Sequence, residues 1–436
     1  MSTKFHLGPI LALTNATPEK WSISILVVVD ETLQPTCSWE LDGGVATPIA
    51  GRSDFGLSGK KIVYFAFEVS LADSPKKVSY RVEGLDFVFQ IPGAGKPPRM
   101  AFCSCNGFSD PKLMKDVDDN LERWKALRGT HERTPFNLLL MGGDQVYADS
   151  IWEKVDALTK YLERSYARQK SVKWTDSLAR QVERFYWNLY LEQWSKAETR
   201  AMLAVIPTVM MWDDHDIFDG WGSYPGEMLA TPVCRGIFAQ ARKFFSRFQI
   251  QAEPGEFVGE SSHFSRVYQL GTIRLLAIDM RSQRTLNHVM SKPIWDDFIE
   301  KLEQTPTDTE HLLLMSGIPV VYPDFRMLDG ALGLIPGRQE LEDDLHDHWR
   351  SGRHCKERLR LIHRLLDFSP ARKCRVTILS GDVHVAALGV IQSVRKPDVA
   401  ENANVINQLI SSGIVHPPPP AFVAWALRQM SAGMKE

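Results

Sequence analysis

Two patterns of apolar and polar residues divide this chain of 436 residues. Over residues 1–96, short segments alternate apolar and polar positions, as in WSISILVVVD at 21–30 and KVSYRVEG at 77–84. A period of two places successive side chains on opposite faces of a strand, so the alternation predicts antiparallel strands. Turn residues separate these segments, and PGAGKPPR at 92–99 is typical of a linker. We therefore predict a small N-terminal antiparallel β-sandwich domain over residues 1–96.

From residue 97 onwards, unbroken apolar runs replace the alternation and are separated by stretches with helical periodicity. Unbroken runs are typical of parallel strands buried on both faces, and helices between them predict a layered α/β domain. We expect this second domain to span residues 97–436, with a helical insertion at 149–206 and a helix at the C-terminus. Helices are predicted at 114–128, 150–170, 176–203, 233–248, 293–303, 338–350 and 355–367.

Five of the apolar runs end in residues that bind metal ions or phosphate. They are MAFCSCNGF (100–108), FNLLLMGGDQVYAD (136–149), TVMMWDDHD (208–216), IRLLAIDMRSQR (273–284) and CRVTILSGDVH (374–384). Open α/β sheets place their binding sites just beyond the carboxyl ends of their strands. If these ends lie side by side, they bring together a set of side chains rich in metal ligands, which favours a metal-dependent hydrolase. The set consists of Cys105, Asp144, Tyr147, Asp214, His215, Asp382 and His384.

The motifs GGDQVYAD and WDDHD contain the most closely spaced candidate metal ligands. The glycine pair allows a tight turn, so that Asp144 can present a carboxylate able to bridge two cations, with Tyr147 close by. A turn aspartate with a packed tyrosine is the alternative. In WDDHD, carboxylates crowd around His215, which is unfavourable unless cations or protons offset the repulsion. The motif favours metal involvement over a solvated acidic turn, with His215 as a candidate proton donor or as support for a ligand.

SGDVH and CSCNG add further candidate ligands. Asp382 and His384 are two positions apart and project to one side of an extended segment, so they can hold one metal ion or two adjacent ones. Cys105 is favoured as a single thiolate ligand, because two-cysteine zinc pairs have another spacing and a second pair elsewhere. Asn106 is a candidate hydrogen-bond donor to a substrate. The alternative for His384 is an ordinary structural histidine. The alternative for Cys103 and Cys105 is a pair of buried thiols.

The motif DMRSQR places arginines directly after a strand end. Asp279 closes the strand, and Arg281 and Arg284 follow. Guanidinium groups suit phosphate oxygens, so Arg281 is a candidate for holding a non-bridging oxygen of a phosphate. Surface arginines beside a capping aspartate are the alternative.

Composition narrows the class of protein and partner. The 51 basic and 53 acidic residues give a net charge of −2, so no nucleic-acid partner is expected. Six cysteines are scattered over a long chain, unlike a disulfide framework. The N-terminus shows no export signal, and the longest apolar runs fall short of a membrane span. We expect a cytoplasmic protein without a membrane span, and the sequence leaves its oligomeric state open.

Taken together, the motifs resemble those of the PhoD-like alkaline phosphatases, a branch of the calcineurin-like metallophosphoesterases. The strings that carry the resemblance are GDQVYAD, WDDHDIFDGWGSYP and SGDVH, in the same order along the chain. The resemblance covers about residues 99–390, and the small N-terminal β domain is also similar to that of the family. It implies a metallophosphoesterase-type β-sheet core flanked by helices.

The resemblance also implies a ligand set for the metal centre. Cys105, Asp144 and Tyr147 would hold a ferric ion, and Asp144 would bridge to a second metal position. Thiolate and phenolate are both anionic, which favours Fe³⁺ over zinc. Carboxylate-rich neighbours suit Ca²⁺, Mn²⁺ or Mg²⁺ at the adjoining positions.

The same resemblance implies roles for the other candidate residues at the strand ends. Asp214 would be a further ligand, at a position where the superfamily commonly has asparagine. His215 would be the adjacent catalytic histidine, and Asp382 with His384 would complete the metal shell. A di- or multinuclear metal centre is therefore expected.

We predict a metal-dependent phosphatase in which hydroxide attacks a small phosphorylated substrate. Asp144, His215 and Arg281 would take part in catalysis, and Asn106 with Arg281 would contact the substrate. A phosphodiesterase acting on a nucleotide or phospholipid diester would use the same metals with another pocket shape. A degenerate phosphate-binding or scaffold protein is the non-enzyme alternative, although the three main motifs have lost no acidic position.

Overall fold

The computed structural model describes residues 5–109, 120–253, 256, 263–322, 349, 351–392, 405–419, 425 and 428. The predicted helix at 338–350 and the predicted C-terminal helix lie outside these residues, apart from single positions. The strands are β1 (Leu7–Ala16), β2 (Lys20–Asp30), β3 (Cys37–Leu41), β4 (Thr47–Ile49), β5 (Gly51–Leu57), β6 (Lys60–Ser70), β7 (Lys76–Val82), β8 (Leu85–Ile91), β9 (Met100–Cys103), β10 (Leu138–Gly142), β11 (Thr208–Met211), β12 (Arg266–Leu270), β13 (Ile273–Ala277), β14 (His311–Met315), β15 (Arg375–Ser380), β16 (Ala387–Gln392) and β17 (Val405–Ile410). The α-helices are α1 (Glu122–Arg133), α2 (Ile151–Lys154), α3 (Asp156–Leu162), α4 (Tyr166–Gln169), α5 (Asp176–Trp194), α6 (Ala197–Leu203), α7 (Gly226–Leu229), α8 (Pro232–Phe245), α9 (Lys292–Glu303) and α10 (Cys355–Arg372).

The strands form three sheets. The first has the order β5-β6-β2-β1-β11-β10-β9, the second β12-β13-β14-β15-β17-β16, and the third β4-β3-β7-β8. Strands β9, β10 and β11 run parallel, and so do β13, β14, β15 and β17. Among the described residues, the N-terminal strands β2 to β8 form antiparallel pairs. The predicted α/β class and the N-terminal antiparallel sheet are both confirmed.

The N-terminal strands share a sheet with strands of the second half of the chain. Strand β1 pairs in parallel with β11 through Ala12 and Thr208, and the Thr208 hydroxyl donates to the carbonyl of Leu11 over 2.8 Å. The first sheet therefore runs without interruption from β5 to β9. An alternating pattern predicts that strands exist, but it does not identify their partners. The domain boundary predicted after residue 96 stays a prediction.

The second sheet is buried on both faces, which explains its unbroken apolar runs. Leu275 and Leu313 belong to an apolar cluster that also contains residues of the first sheet. Their neighbours Leu276 and Leu314 belong to a separate cluster with residues of α9 and α10. Because side chains alternate between faces, a strand covered on both sides needs apolar residues at consecutive positions. The two large sheets thus pack against each other, with helices on the far side of the second.

The helical insertion predicted at 149–206 is present as several helices. Val155 and Ser165 have extended backbone conformations, and they divide the predicted helix at 150–170 into α2, α3 and α4. Of the helix predicted at 114–128, residues 114–119 lie outside the described residues, and α1 begins at Glu122 after a turn. The predictions at 176–203, 233–248, 293–303 and 355–367 are confirmed by α5 with α6, α8, α9 and α10.

Helix α5 buries an aromatic face behind the strand ends. Tyr190 stacks on Phe248 in the π-helical turn Ser246–Ile250, with ring centroids 4.6 Å apart. Trp194 donates from Nε1 to the carbonyl of Gln145 over 3.1 Å, in the loop that follows β10. The insertion therefore supports this loop from inside the fold.

Among the described residues, no helix combines the length and apolar character that a membrane crossing requires. The predicted cytoplasmic location stays a prediction.

Candidate metal centre

The carboxyl ends of strands from both large sheets meet at one edge of the molecule. Ser104, just after β9, forms a parallel bridge with Gly413, just after β17. Cys105 Sγ lies 3.6 Å from Asp144 Oδ2, and Tyr147 Oη lies 3.4 Å from His384 Nε2. Side chains that are distant in sequence therefore meet here, as the strand-end pattern predicts.

Four carboxylates form the centre of this region. Asp144, Asp213, Asp214 and Asp382 each offer an oxygen, and these oxygens all lie within 4.8 Å of one another. The first three side chains are buried. Buried like charges at this separation repel strongly, and a cation between them removes the repulsion.

Asp144 supplies a direct test of whether a cation fits. Its Oδ1 is buried and accepts no hydrogen bond from the described part of the chain. A buried carboxylate oxygen without a donor is unfavourable, because it has lost water without replacement. A metal ion in the four-carboxylate cluster would satisfy this atom, so the donor set fits a metal centre.

The backbone bends sharply to deliver these groups. Cys105, Asp144, Asp382 and His384 have positive φ values of 55°, 57°, 70° and 58°. Residues other than glycine adopt this conformation at a cost of about 1–3 kcal/mol, and such residues cluster at functional sites. Gly143 has φ +109°, and a Cβ there would lie 2.9 Å from the Cβ of Asp213. The glycine therefore lets the loop after β10 approach the acidic loop after β11.

Asp216 ties these two loops together. It lies in the 3-10 turn Asp214–Asp216, and its carboxylate accepts five hydrogen bonds. The donors are the backbone N–H groups of Asp144 (3.0 Å), Gln145 (3.1 Å), Val146 (3.1 Å) and Asp213 (2.9 Å), with Nε2 of Gln249 (2.9 Å). Burial raises the pKa of Asp216 to about 7. Its oxygens are occupied, so it positions the candidate ligands rather than joining them.

His215 is held in one orientation. Its ring stacks on Tyr147 with centroids 4.4 Å apart, and its Nδ1 lies 2.9 Å from Oδ2 of Asp149. Burial lowers the pKa of His215, but the carboxylates of Asp149 and Asp214 outweigh that effect and leave the pKa well above its usual value. The neighbouring carboxylates therefore favour the protonated form of this imidazole.

His384 has the opposite electrostatic character. Burial, with further contributions from His416 and His215, holds the pKa of His384 well below its usual value. A neutral imidazole can act as a metal ligand, whereas a protonated one cannot. The two predicted histidines thus suit different tasks.

The predicted thiol and phenol ligands are buried beside carboxylates. Burial raises the pKa of Cys105 well above its usual value, and Asp144 raises it further. Burial likewise raises the pKa of Tyr147, with smaller contributions from Cys105 and Asp144. A bound cation reverses this electrostatic balance, because it favours the ionised form of each ligand.

Arg281 lies inside the acidic cluster rather than at an open surface. Its Nε donates to Oδ1 of Asp213, its Nη2 lies 3.3 Å from Oδ1 of Asp214, and its Nη1 donates to the carbonyl of Trp221 over 2.9 Å. Asp279 accepts the backbone N–H of Arg281 over 3.0 Å and so closes the turn. The predicted contact between Arg281 and a phosphate stays a prediction.

Asn106 is also engaged within the protein. Its Oδ1 accepts from Nε1 of Trp124 over 2.8 Å, and its Nδ2 donates to the carbonyl of Gln145 over 3.3 Å. These bonds link the loop after β9 to α1 and to the loop after β10. Its predicted contact with a substrate stays a prediction.

Besides Asp216, several residues of the site were not among the predicted site residues. Asp213 and Asp149 lie within the quoted motifs, and Asp219 joins Asp214 and His215 as a second group of potential metal ligands. His416 stacks on His384 with ring centroids 3.5 Å apart. Burial lowers the pKa of His416 to about 4. The only sequence signal for His416 is its place before a proline run.

The raised pKa values predict how metal-free protein responds to pH. Asp144 and Asp216 bind protons more tightly in the folded than in the unfolded chain. The folded state therefore loses stability as the pH rises above about 4, where unfolded aspartates ionise, and for Asp216 this loss continues to about 7. We expect the unfolding temperature of chelator-treated protein to fall across this range and a divalent cation to reduce the fall.

Calorimetry of the chelator-treated protein measures the slope of its unfolding temperature against pH. Asp144→Asn should raise the metal-free unfolding temperature at neutral pH and flatten the slope. The same change at exposed Asp308 should leave the slope unchanged. An unfolding temperature that rises with pH would contradict the assignment of these buried acids.

Comparison with known proteins places this architecture in a family. A family model described as PhoD related phosphatase matches residues 104–334 and 327–432. An uncharacterized protein of Saccharomyces cerevisiae is 28% identical over 460 aligned residues, which cover 86% of this chain and 65% of that protein. The chain thus spans just under two thirds of the length of this curated relative.

A solved structure supports the fold. The structure of PhoD aligns with a TM-score of 0.60 at 14% sequence identity, covering 95% of this chain and 78% of that chain. At this identity the likeness concerns the fold. The family model, which covers most of the chain including every motif of the acidic cluster, leads to the conclusion that this chain belongs to the family of PhoD-related phosphatases.

Proposed function

We propose that this chain hydrolyses phosphate esters at a centre of two or more metal ions between its two large sheets. The observation that carries the proposal is the cluster of Asp144, Asp213, Asp214 and Asp382, with an oxygen of Asp144 that accepts no hydrogen bond from the described residues. Membership of a phosphatase family supports the same chemistry.

The proposed ligands divide by their chemistry. Cys105 and Tyr147 are neutral unless a strong positive charge lowers their pKa values, which burial and nearby carboxylates raise. A highly charged ion such as Fe³⁺ would suit these two ligands, and Asp144 would supply a carboxylate shared with a neighbouring metal position. Asp214, Asp382 and His384 would complete the shell. Oxygen-rich positions suit Ca²⁺, Mn²⁺ or Mg²⁺.

The chemistry that such a centre supplies when bound is a water of lowered pKa and neutralisation of charge on the phosphoryl group. His215 supplies the proton. The carboxylate of Asp149 accepts from Nδ1 and favours the protonated form of the ring. Nε2 then donates to the oxygen of the leaving group, as general acid catalysis requires. The stacked ring of Tyr147 keeps the imidazole in this orientation.

Arg281 acts in this proposal through the acidic residues. Its guanidinium contacts Asp213 and Asp214, so it fixes their carboxylates and offsets part of their charge. We therefore assign it a positioning role.

Elemental analysis and activity assays on one purified sample test the proposed function. We expect bound metal, hydrolysis of an aryl phosphate, loss of activity on chelation and recovery when the metal is restored. The ratio of rates on an aryl monoester and an aryl diester distinguishes a phosphatase from a phosphodiesterase. Protein that stays metal-free under metal-replete conditions and is inactive would reject the proposal in favour of a phosphate-binding role. A colourless, iron-free and fully active sample would reject iron beside Tyr147.

A further inference from the structure

The segment that follows β17 closes one side of the acidic cluster. Ser411 donates its backbone N–H to the carbonyl of Ser380 at the end of β15, over 2.8 Å. Ile414 donates its N–H to the carbonyl of Ser104 at the end of β9, also over 2.8 Å. One short segment thus connects strand ends from both large sheets, beside the candidate ligands.

This segment is attached directly to a predicted ligand. The carbonyl of Cys105 accepts from the backbone N–H groups of Val415 (3.2 Å) and His416 (3.1 Å). A Cβ at Gly413 would lie 2.8 Å from both the Cβ and the carbonyl oxygen of His416, so this turn requires glycine. The backbone geometry therefore directs His416 toward the centre.

His416 contacts His384 through the face of its ring, whereas its two ring nitrogens contact other residues. Its Nδ1 lies 2.9 Å from the carbonyl oxygen of Pro417, which can only accept, so Nδ1 carries the hydrogen. Its Nε2 lies 3.5 Å from the hydroxyl of Ser109. The ring centroids of His416 and His384 are 3.5 Å apart, and the angle between the two ring planes is 17°.

His384 needs such support. It is only half-buried and lies in a loop where its own φ is 58° and that of Asp382 is 70°. Its ring contacts are the hydroxyl of Tyr147 at Nε2 and the face of His416. Partners that orient a ligand imidazole are nearly as important for metal sites as the ligand itself.

We propose that His416 is a positioning residue, which fixes the imidazole of His384 for metal binding by stacking on its face. This inference rests on the proposed metal centre. His416 neither binds the metal nor transfers a proton in this role. The segment after β17, and not the strand-end motifs alone, then determines whether the site is competent.

Three variants of the full chain test the stacking role. His416→Ala removes the ring, His416→Phe keeps a flat ring without nitrogens, and His363→Ala makes the same truncation at an exposed position of α10. We expect Ala at 416 to weaken Mn²⁺ binding, measured by titration calorimetry, by about 10–100-fold. We expect His416→Phe and His363→Ala to bind Mn²⁺ like the unsubstituted protein.

Kinetics and unfolding temperatures on the same samples separate the interpretations. If the Ala variant binds Mn²⁺ normally, or the Phe variant binds as weakly as Ala while folded, stacking is not the role and the proposal is overturned. Should Ala at 416 fail to fold, the Phe variant alone decides. If Mn²⁺ affinities follow the expected order but no protein hydrolyses phosphate esters, the proposed function fails and the positioning role stands.

Discussion

Asp144→Asn is expected to abolish hydrolysis of an aryl phosphate while leaving the fold intact. Asparagine keeps the shape of the side chain but removes the charge that would bridge two cations. Loss of a residue that merely supports a ligand costs about 10–100-fold, so loss of the bridging carboxylate should lower kcat/KM by more than about 100-fold. Because Oδ1 accepts no hydrogen bond from the described residues, the substitution breaks none at that atom.

The matched control is the same substitution at an exposed aspartate, Asp308→Asn. It should leave kcat/KM, metal content and unfolding temperature unchanged. Near-normal turnover by the Asp144 variant would remove Asp144 from the catalytic centre. Elemental analysis on the same samples should show that the loss of activity accompanies a loss of metal.

The second large effect is expected from His215→Asn, and it should depend on the leaving group. If His215 protonates the departing oxygen, its loss should lower kcat by about 10²–10⁴-fold for phenyl phosphate, whose leaving group needs a proton. The loss should be much smaller for 4-nitrophenyl phosphate, whose leaving group departs as a stable anion. Equal losses on both substrates would show that His215 orients the phosphate instead.

Asp149→Asn tests the orientation of the same imidazole. The variant keeps His215 but removes the carboxylate 2.9 Å from Nδ1, which helps to raise its pKa. We expect a smaller loss of kcat than in the His215 variant. The basic limb of the pH–rate profile should move to lower pH, because a less stabilised imidazolium loses its proton earlier. An unchanged profile would mean that Asp149 does not control the protonation of His215.

The meeting of the strand ends could be predicted because parallel strands share an edge. Strand β9 pairs with β10 so that Cys103 lies opposite Met141. Cys105 and Asp144 follow within a few residues and emerge side by side. The apolar run of each strand and the polar residues that follow it are local properties of the sequence, so both can be recognised without the folded structure.

Arg281 illustrates what local patterns do not reveal. An arginine after a strand end predicts a phosphate contact, since guanidinium suits phosphate oxygens. In the folded protein the guanidinium is fully buried and contacts the carboxylates of Asp213 and Asp214. Those carboxylates come from another loop, and only packing brings them to Arg281.

The sequence by itself determined which strands are buried on both faces and which strand ends carry candidate ligands, because periodicity and composition act over a few neighbouring residues. Only the tertiary structure decided that the N-terminal strands extend the sheet of β9–β11, that Arg281 pairs with the acidic cluster, and that His416 stacks on His384. These three features depend on contacts between segments far apart along the chain. Such contacts arise from how whole layers pack, and no short window of sequence contains both partners.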